Sequence, residues 1–501
     1  MGIAHLPTIS FARKPPKMEL THSFESLLLS FVPVFTEPSF QTFRLLMTGW
    51  ILSMRHRYVT DLIISSDSVG KGHFSDYHRF FSHAVWDLDQ LWKLLARLIV
   101  SLLIGPEATI VLAGDDTLCR KRGLGIFGTG MHHDPLSSSK SKKICHWGHD
   151  WVDLCIVISQ PWWAPTKVFA LPICMRLYRN RQGLTKGQRP SSPQPSARRR
   201  KAASRKAQQA AQAKRKAAAH ARRMHQAHNT PHKTRPELMA EMIALVAGWF
   251  PERQFVLLVD SLYSGQSVLS HLPDNFELIG PVHPKAALYA PAPIETTGRR
   301  GPRRKKGERL PSAQAWEQDR APWKTLHYDQ YGLHGSLRVK TRTGLYYKAG
   351  KDRLLRFVLS QDTVGQRPTR IFYSTDVSLS PREILSLFSR RWSIEVTHHD
   401  CKQHLGLEDP ANRTPQAVRR TAPMAMFLYS LTIVWYATEG HAHWQIPLRP
   451  WYWWKSEPSF ADMLTTLRRK SWEDKLREVS LPTTLQNNSI ERLSYLATLA
   501  G

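Results

Sequence analysis

Five segments fix the order of elements in the first half of the chain. TIVLAGDD (109–116), KICHWGHDWVDLCIVIS (143–159) and KVFALPICMRLY (167–178) are apolar runs rich in β-forming residues. PELMAEMIALVAGWF (236–250) has helical periodicity, with Pro236 at its start and Glu237 in its first turn. QFVLLVDS (254–261) is again a short, buried-type strand. Strand, strand, strand, helix, strand is an α/β order.

Two of these runs end in acids, Asp115–Asp116 and Asp260. One such end is ordinary, because strand ends meet solvent. Two of them, followed by Glu395 on a later helix, place carboxylates at adjacent strand ends with a third delivered from a packed helix. Clustered carboxylates repel unless protonated or metal-bound, and hard oxygen ligands select Mg²⁺ or Mn²⁺. Two such ions about 3.5–4 Å apart can activate a nucleophile and stabilise a leaving oxygen in phosphoryl transfer. Successive strand residues face opposite ways, so only one of Asp115 and Asp116 points into such a site. Periodicity does not choose between them.

The helix carrying Glu395 has a legible start. Ser380 is an N-cap, Pro381 stands at N1, and Glu383 at N3 completes a capping box. From there SPREILSLFSRRWSIEVTHHDCKQHLG reads as one helix. At roughly 100° per residue, Phe388, Arg391, Glu395 and Lys402 fall within an arc of about 60°. Taken alone, Arg391 and Glu395 at i, i+4 make an exposed ion pair contributing roughly 0.3–0.5 kcal/mol. His398, His399, Cys401 and His404 point in several directions around the helix, as polar filler rather than a zinc site.

Charge narrows the partners. Seventy Lys+Arg against 40 Asp+Glu give a formal net charge of +30 over 501 residues. That is a polyanion-binding footprint, and nucleic acid fits it better than a membrane surface. The excess is concentrated in SARRRKAASRKAQQAAQAKRKAAAHARR (196–223), with Arg198, Arg199, Arg200, Lys214, Arg215 and Lys216. This stretch has no apolar face to bury, so it is either an arm that neutralises phosphates or a solvated insertion without a specific role. A second basic loop carries Arg303, Arg304 and Lys305. Five scattered cysteines suit a reducing compartment. The N-terminal run SFESLLLSFVPVF is too broken for a secretory signal. TAPMAMFLYSLTIVWYAT (421–438) is uncharged over about 18 residues, short of the ~20 a span needs, and reads as a buried core helix.

DDTLCRKRGLGIFGTGMHHDPL, VDSLYSGQSVLSHLP and FSRRWSIEVTHHDCKQHLGLEDPANRTPQAVRRTAP together resemble the DDE transposases of bacterial insertion sequences. The likeness is to the cut-and-paste group and covers roughly residues 33–475, apart from the basic arm. Its signature on the Glu helix is Tyr, two residues, Arg, three residues, Glu, six residues, Lys. Phe388, Arg391, Glu395 and Lys402 keep the spacing, with Phe replacing Tyr.

The resemblance implies an α/β protein with an RNase H-like catalytic core, a β-rich insertion and an N-terminal helical domain. It implies Asp116, Asp260 and Glu395 as catalytic ligands of two Mg²⁺ or Mn²⁺ ions, Asp116 being preferred because the family's first Asp precedes a Thr, as here Thr117. Arg391 and Lys402 would hold phosphates; Phe388 lacks the hydroxyl for the phosphate contact the family's Tyr makes. Trp316 and Trp323 are base-flip candidates, or apolar anchors of the insertion. The implied domains are 1–105 (helical, DNA-binding), 106–285 (first part of the core, with the basic arm 185–232), 286–370 (insertion), 371–440 (second part of the core) and 441–501 (helical tail). The implied function is a transposase that binds terminal inverted repeats in double-stranded DNA as a homodimer. It would cleave phosphodiesters and join 3′-OH ends to target DNA, in the bacterial cytoplasm at the nucleoid and with no membrane. Two rival readings are a nuclease without strand transfer and a defective or domesticated copy that only binds DNA.

Overall fold

The computed structural model describes residues 20–478 except 135–136, 140, 181–231, 284, 294–303, 331–332, 364–367 and 446–453. The chain opens with helices α1 (His22–Leu29), α2 (Glu37–Leu52), α3 (Val59–Ser65), α4 (Phe74–Ser82) and α5 (Leu88–Leu103). Asp87 caps α5, its Oδ1 accepting the Asp89 and Gln90 amides at 2.7 and 3.3 Å. Two N–H groups without intrahelical partners are thereby satisfied.

Strands β1 (Ile110–Arg120), β2 (Gly130–His133), β3 (Cys145–Ser159) and β4 (Val168–Tyr178) follow, then α6 (Arg235–Trp249), β5 (Phe255–Val259), α7 (Gln266–Leu269) and β6 (Phe276–Val282). The strand, strand, strand, helix, strand order stands, with the short β2 added. α6 begins with a capping box in which the Thr234 side chain and Glu237 satisfy each other's backbone amides. β3 pairs antiparallel with β1 and β4, whereas β5 runs parallel to β1 and β6 parallel to β5. The spatial order β4-β3-β1-β5-β6 is that of an RNase H-like core.

The β-rich section comprises α8 (Ala313–Gln318), β7 (Lys324–Gln330), β8 (Leu333–Leu345), α9 (Tyr347–Gly350), β9 (Leu354–Asp362) and β10 (Arg370–Ser374). It builds no sheet of its own. β10 pairs with β6, and β9, β8 and β7 continue outward, giving one ten-stranded sheet among the described residues.

The chain closes with α10 (Pro381–Ser389), α11 (Trp392–His404), α12 (Pro415–Thr421), α13 (Pro423–Thr438) and α14 (Phe460–Glu478). Every residue of α13 from Pro423 to Ala437 is buried, and Ser430 on it donates to the Pro172 carbonyl of β4 at 2.8 Å. Fully burying one Leu, Ile, Phe or Met side chain is worth about 1.5–3 kcal/mol, so this helix centres the helical layer. Among the described residues no helix is long and apolar enough to cross a membrane.

The N-terminal helices belong to the same core. Phe31 and Trp92 pack their rings on Phe427 of α13. The Trp50 indole donates to the Leu405 carbonyl at 2.8 Å, and Arg57 donates to the His404 carbonyl at 2.7 Å.

Candidate active site

The parallel pairing of β1 with β5 ends at Gly114↔Val259. The next residues on the two strands are Asp115 and Asp260. On its other side Asp115 stands opposite Asp153 of β3. Asp115 and Asp153 are thus cross-strand partners on one face of the sheet, and Asp260 stands just beyond the paired part of β5. β1 does not stop at its acids as expected. Pairing with β3 carries it to Arg120↔Gly148, so Asp115 and Asp116 lie within the strand, at the point where β5 leaves it. Asp260 turns the chain away from the sheet, its Oδ1 accepting the Leu262 amide at 2.9 Å.

α11 covers this face. Ile394 packs with Ala113, Cys155, Val157 and Ala170, which sets Glu395 beside Asp115. Between them lies Arg391. Its Nη1 donates to Asp115 Oδ2 and its Nη2 to Glu395 Oε1, both at 2.7 Å. These bonds are charge-assisted. The Arg391–Glu395 pair is therefore no exposed ornament: the Arg391 side chain retains 14% of its accessible surface. Burial disfavours the guanidinium charge, but Asp115 and Glu395 outweigh that effect and hold it firmly protonated. Burial pushes the Asp115 carboxyl up to about 7, with Asp260 adding to the rise and His398 and Arg391 opposing it.

Asp116 faces the other way. Its Oδ1 accepts the Tyr263 hydroxyl at 2.7 Å, and its Oδ2 lies 3.5 Å from Arg235 Nε. Arg235 also binds Asp150, Nε to Oδ2 at 2.6 Å, and stacks over Tyr178 at the end of β4. Burial and the nearby Asp150 charge push the Asp116 carboxyl up to about 7, against the pull of Arg235. Asp116, the residue preferred above as the first metal ligand, thus lies on the face opposite Glu395: adjacent strand residues point to opposite faces, and α11 covers the face of Asp115.

The predicted stripe faces the sheet but divides its tasks. The single helix expected from 381 is split at Arg390–Arg391, where Arg390, Arg391, Ser393 and Ile394 donate three residues back, in a tight 3₁₀-type turn. Phe388 packs against Phe372 of β10, the rings tilted with centroids 4.7 Å apart, within an apolar cluster. Lys402 donates to the Leu118 carbonyl of β1 at 2.9 Å.

Of the other expected residues, Arg198, Arg199, Arg200, Lys214, Arg215, Lys216 and Arg303 lie outside the described residues. Arg304 and Lys305 are exposed. Trp316 is 3% exposed beneath the Arg342 guanidinium. So buried, its ring packs as an apolar anchor of the section would. Trp323 is partly buried, with Lys340 Nζ 4.7 Å from its ring centroid. The histidines and cysteine of α11 separate: His398 pairs with Asp153, Cys401 is buried, and His399 lies beside Asp400.

Three features escaped sequence reasoning. The first is the buried pair in which His398 Nε2 meets Asp153 Oδ1 at 2.9 Å, Asp153 being the cross-strand neighbour of Asp115. The second is Arg235, the ion partner of the rear face. The third is Trp392, 63% exposed immediately after Arg391. Helical spacing of His398 from Glu395 and strand alternation of Asp153 were available as signals, but only the β1–β3 register joins them.

Asp115, Asp260 and Glu395 would offer only hard carboxylate oxygens to an ion, and the Arg391 guanidinium bridges two of them. That chemistry fits Mg²⁺ or Mn²⁺. Among the described residues no three His, Cys, Asp or Glu side chains form a group able to hold a metal ion.

Two family models match the chain. Residues 344–439 match one described as an archaeal transposase, ISC1217, so the transposase resemblance extends through α11 and α13. No curated protein matches. Residues 30–345, more than half of the chain, match the model described as DDE superfamily endonuclease, and the chain belongs to that family.

Proposed function

We propose that the protein is a DNA transposase that recognises the terminal inverted repeats of its element, cleaves at their ends and joins the freed 3′-OH to target DNA. The observation that supports this reading is the Arg391 bridge between Asp115 and Glu395, with Asp260 following the last residue of β5 paired to β1, in a chain that belongs to the DDE endonucleases. These three carboxylates would hold Mg²⁺ or Mn²⁺, two ions by the family resemblance, which supply Lewis-acid activation of water and of the leaving oxygen. Asp116 belongs to the rear-face network.

Each neighbour has a task that follows from its contacts. Arg391 balances the charge of Asp115 and Glu395 and, with its planar fork, suits a DNA phosphate. Lys402 ties α11 to β1 through the Leu118 carbonyl, holding Glu395 over Asp115. Trp392 offers an open aromatic face on which a base of an unpaired end can stack. The net charge of +30 supplies the sequence-independent attraction to duplex DNA. A homodimer on paired ends, acting in the cytoplasm at the nucleoid, completes the reading.

The test is a joining assay. Full-length protein is incubated with a duplex ending in a terminal repeat with a free 3′-OH, a supercoiled plasmid and Mg²⁺. Covalent repeat–plasmid products support the reading. Nicking without any joined product would favour an endonuclease, the activity named by the larger family match. Tight, salt-sensitive binding with neither outcome would reduce the protein to a DNA-binding one.

A further inference from the structure

Arg391 occupies an unusual place for a residue that is to meet DNA. Its two Nη groups are spent on Asp115 and Glu395, whose side chains retain only 15% and 33% of their accessible surface. Without the guanidinium these two carboxylates would repel across a poorly solvated gap. A divalent cation needs the same oxygens, so the guanidinium and the cation compete for them. The third donor of the fork, Arg391 Nε, is buried and has no hydrogen-bond partner, which is a standing cost of this arrangement. A phosphate accepts from Nε and Nη together, so a guanidinium transferred to DNA would satisfy the donor it leaves idle here. Trp392, the next residue, is open to solvent, and the tight turn at Arg390–Arg391 is where the two helices meet.

We propose that Arg391 is an exchangeable counter-ion. In the DNA-free protein it neutralises Asp115 and Glu395 in the stead of a divalent cation, and its transfer to a DNA phosphate releases both carboxylates to that cation. The inference rests on the front-face site proposed above. Its consequence is coupling: DNA tightens cation binding, and by reciprocity the cation tightens DNA binding by the same factor.

Titration of Mn²⁺, followed by electron paramagnetic resonance of the free ion, tests this on the full chain. It is run with and without a terminal-repeat duplex, after subtraction of Mn²⁺ held by the duplex alone. Wild type should bind Mn²⁺ weakly without DNA, and the duplex should tighten binding by a factor of about 5–150. Arg391→Gln should bind Mn²⁺ at least about tenfold tighter than wild type without DNA, and the duplex should add little. Arg391→Lys, which keeps the charge but not the fork, should lie between them.

Two results overturn the proposal: a folded Arg391→Gln that binds Mn²⁺ no tighter than wild type, or a duplex that leaves wild-type affinity unchanged. If Arg391→Gln does not fold, the duplex effect and Arg391→Lys still decide. Asp115→Asn and Glu395→Gln separate this failure from a deeper one. If they abolish Mn²⁺ binding while Arg391→Gln changes nothing, the site stands and the exchange falls. If they bind Mn²⁺ as wild type does, the site itself is wrong and the exchange falls with it.

Discussion

Asp153 has no solvent exposure, and its charge is tolerated because His398 meets it at 2.9 Å. Removing one partner of a buried ion pair leaves an uncompensated charge, which costs about 3–5 kcal/mol. His398→Ala should lower unfolding stability by that amount in denaturant titration, and a loss below about 1 kcal/mol would contradict the pairing. The pair also sets a pH dependence. Burial alone would lower the His398 pKa from 6.5, but the Asp153 charge and hydrogen bond outweigh it, so the native value is raised. A native state that holds the proton more tightly than the unfolded chain gains stability from it. That gain is fully present below about 6.5 and fades as the pH climbs through the raised native value. Wild type should therefore lose more stability than His398→Gln between mildly acidic and mildly alkaline pH; parallel curves would refute the assignment. Asp115 and Asp116 show where reading a sequence stops. Both are acids at the same strand site, and only the placement of α11 on one face, and of Tyr263 and Arg235 on the other, distinguishes them.

The capping box at Ser380 forms as its sequence implies: the Ser380 side chain accepts the Glu383 amide, and Glu383 accepts the Ser380 amide at 2.7 Å. Ser380→Ala should cost about 1 kcal/mol, read from the midpoint of thermal or denaturant unfolding, with the cleavage site otherwise intact. Local signals of this kind, with runs of β-forming residues, made β1, β3, β4, β5 and α6 legible to within a few residues. Three element-scale facts were not legible, because each depends on a partner distant in sequence. β1 extends past its acids because β3 pairs with it up to Gly148. The long helix divides at Arg390–Arg391, where Phe388 is drawn to Phe372 while Arg391 is drawn to Asp115. The β-rich section joins the central sheet because β10 finds β6, although its own residues read as a separate module.

At the scale of the molecule, the N-terminal helices and α13 share one hydrophobic core, and the Trp435 indole donates to Ser23 at 3.0 Å. A fragment beginning at residue 106 would expose the surface that Phe31, Trp50 and Trp92 cover. It should lack the cooperative unfolding transition of the full chain in calorimetry; a fragment that unfolds cooperatively would show instead that 1–105 is a separable unit. Nicking of an end-labelled terminal-repeat duplex with Mg²⁺ decides which face of the sheet does the chemistry. Wild type, Asp115→Asn and Asp116→Asn are compared at a temperature where all three are folded. Asp115→Asn should lower the nicking rate about 100-fold or more, as expected when a ligand of the activating cation is lost, while Asp116→Asn stays within about tenfold of wild type. The reverse order, with Asp116→Asn inactive and Asp115→Asn nearly unimpaired, would place the chemistry on the rear face and contradict the account.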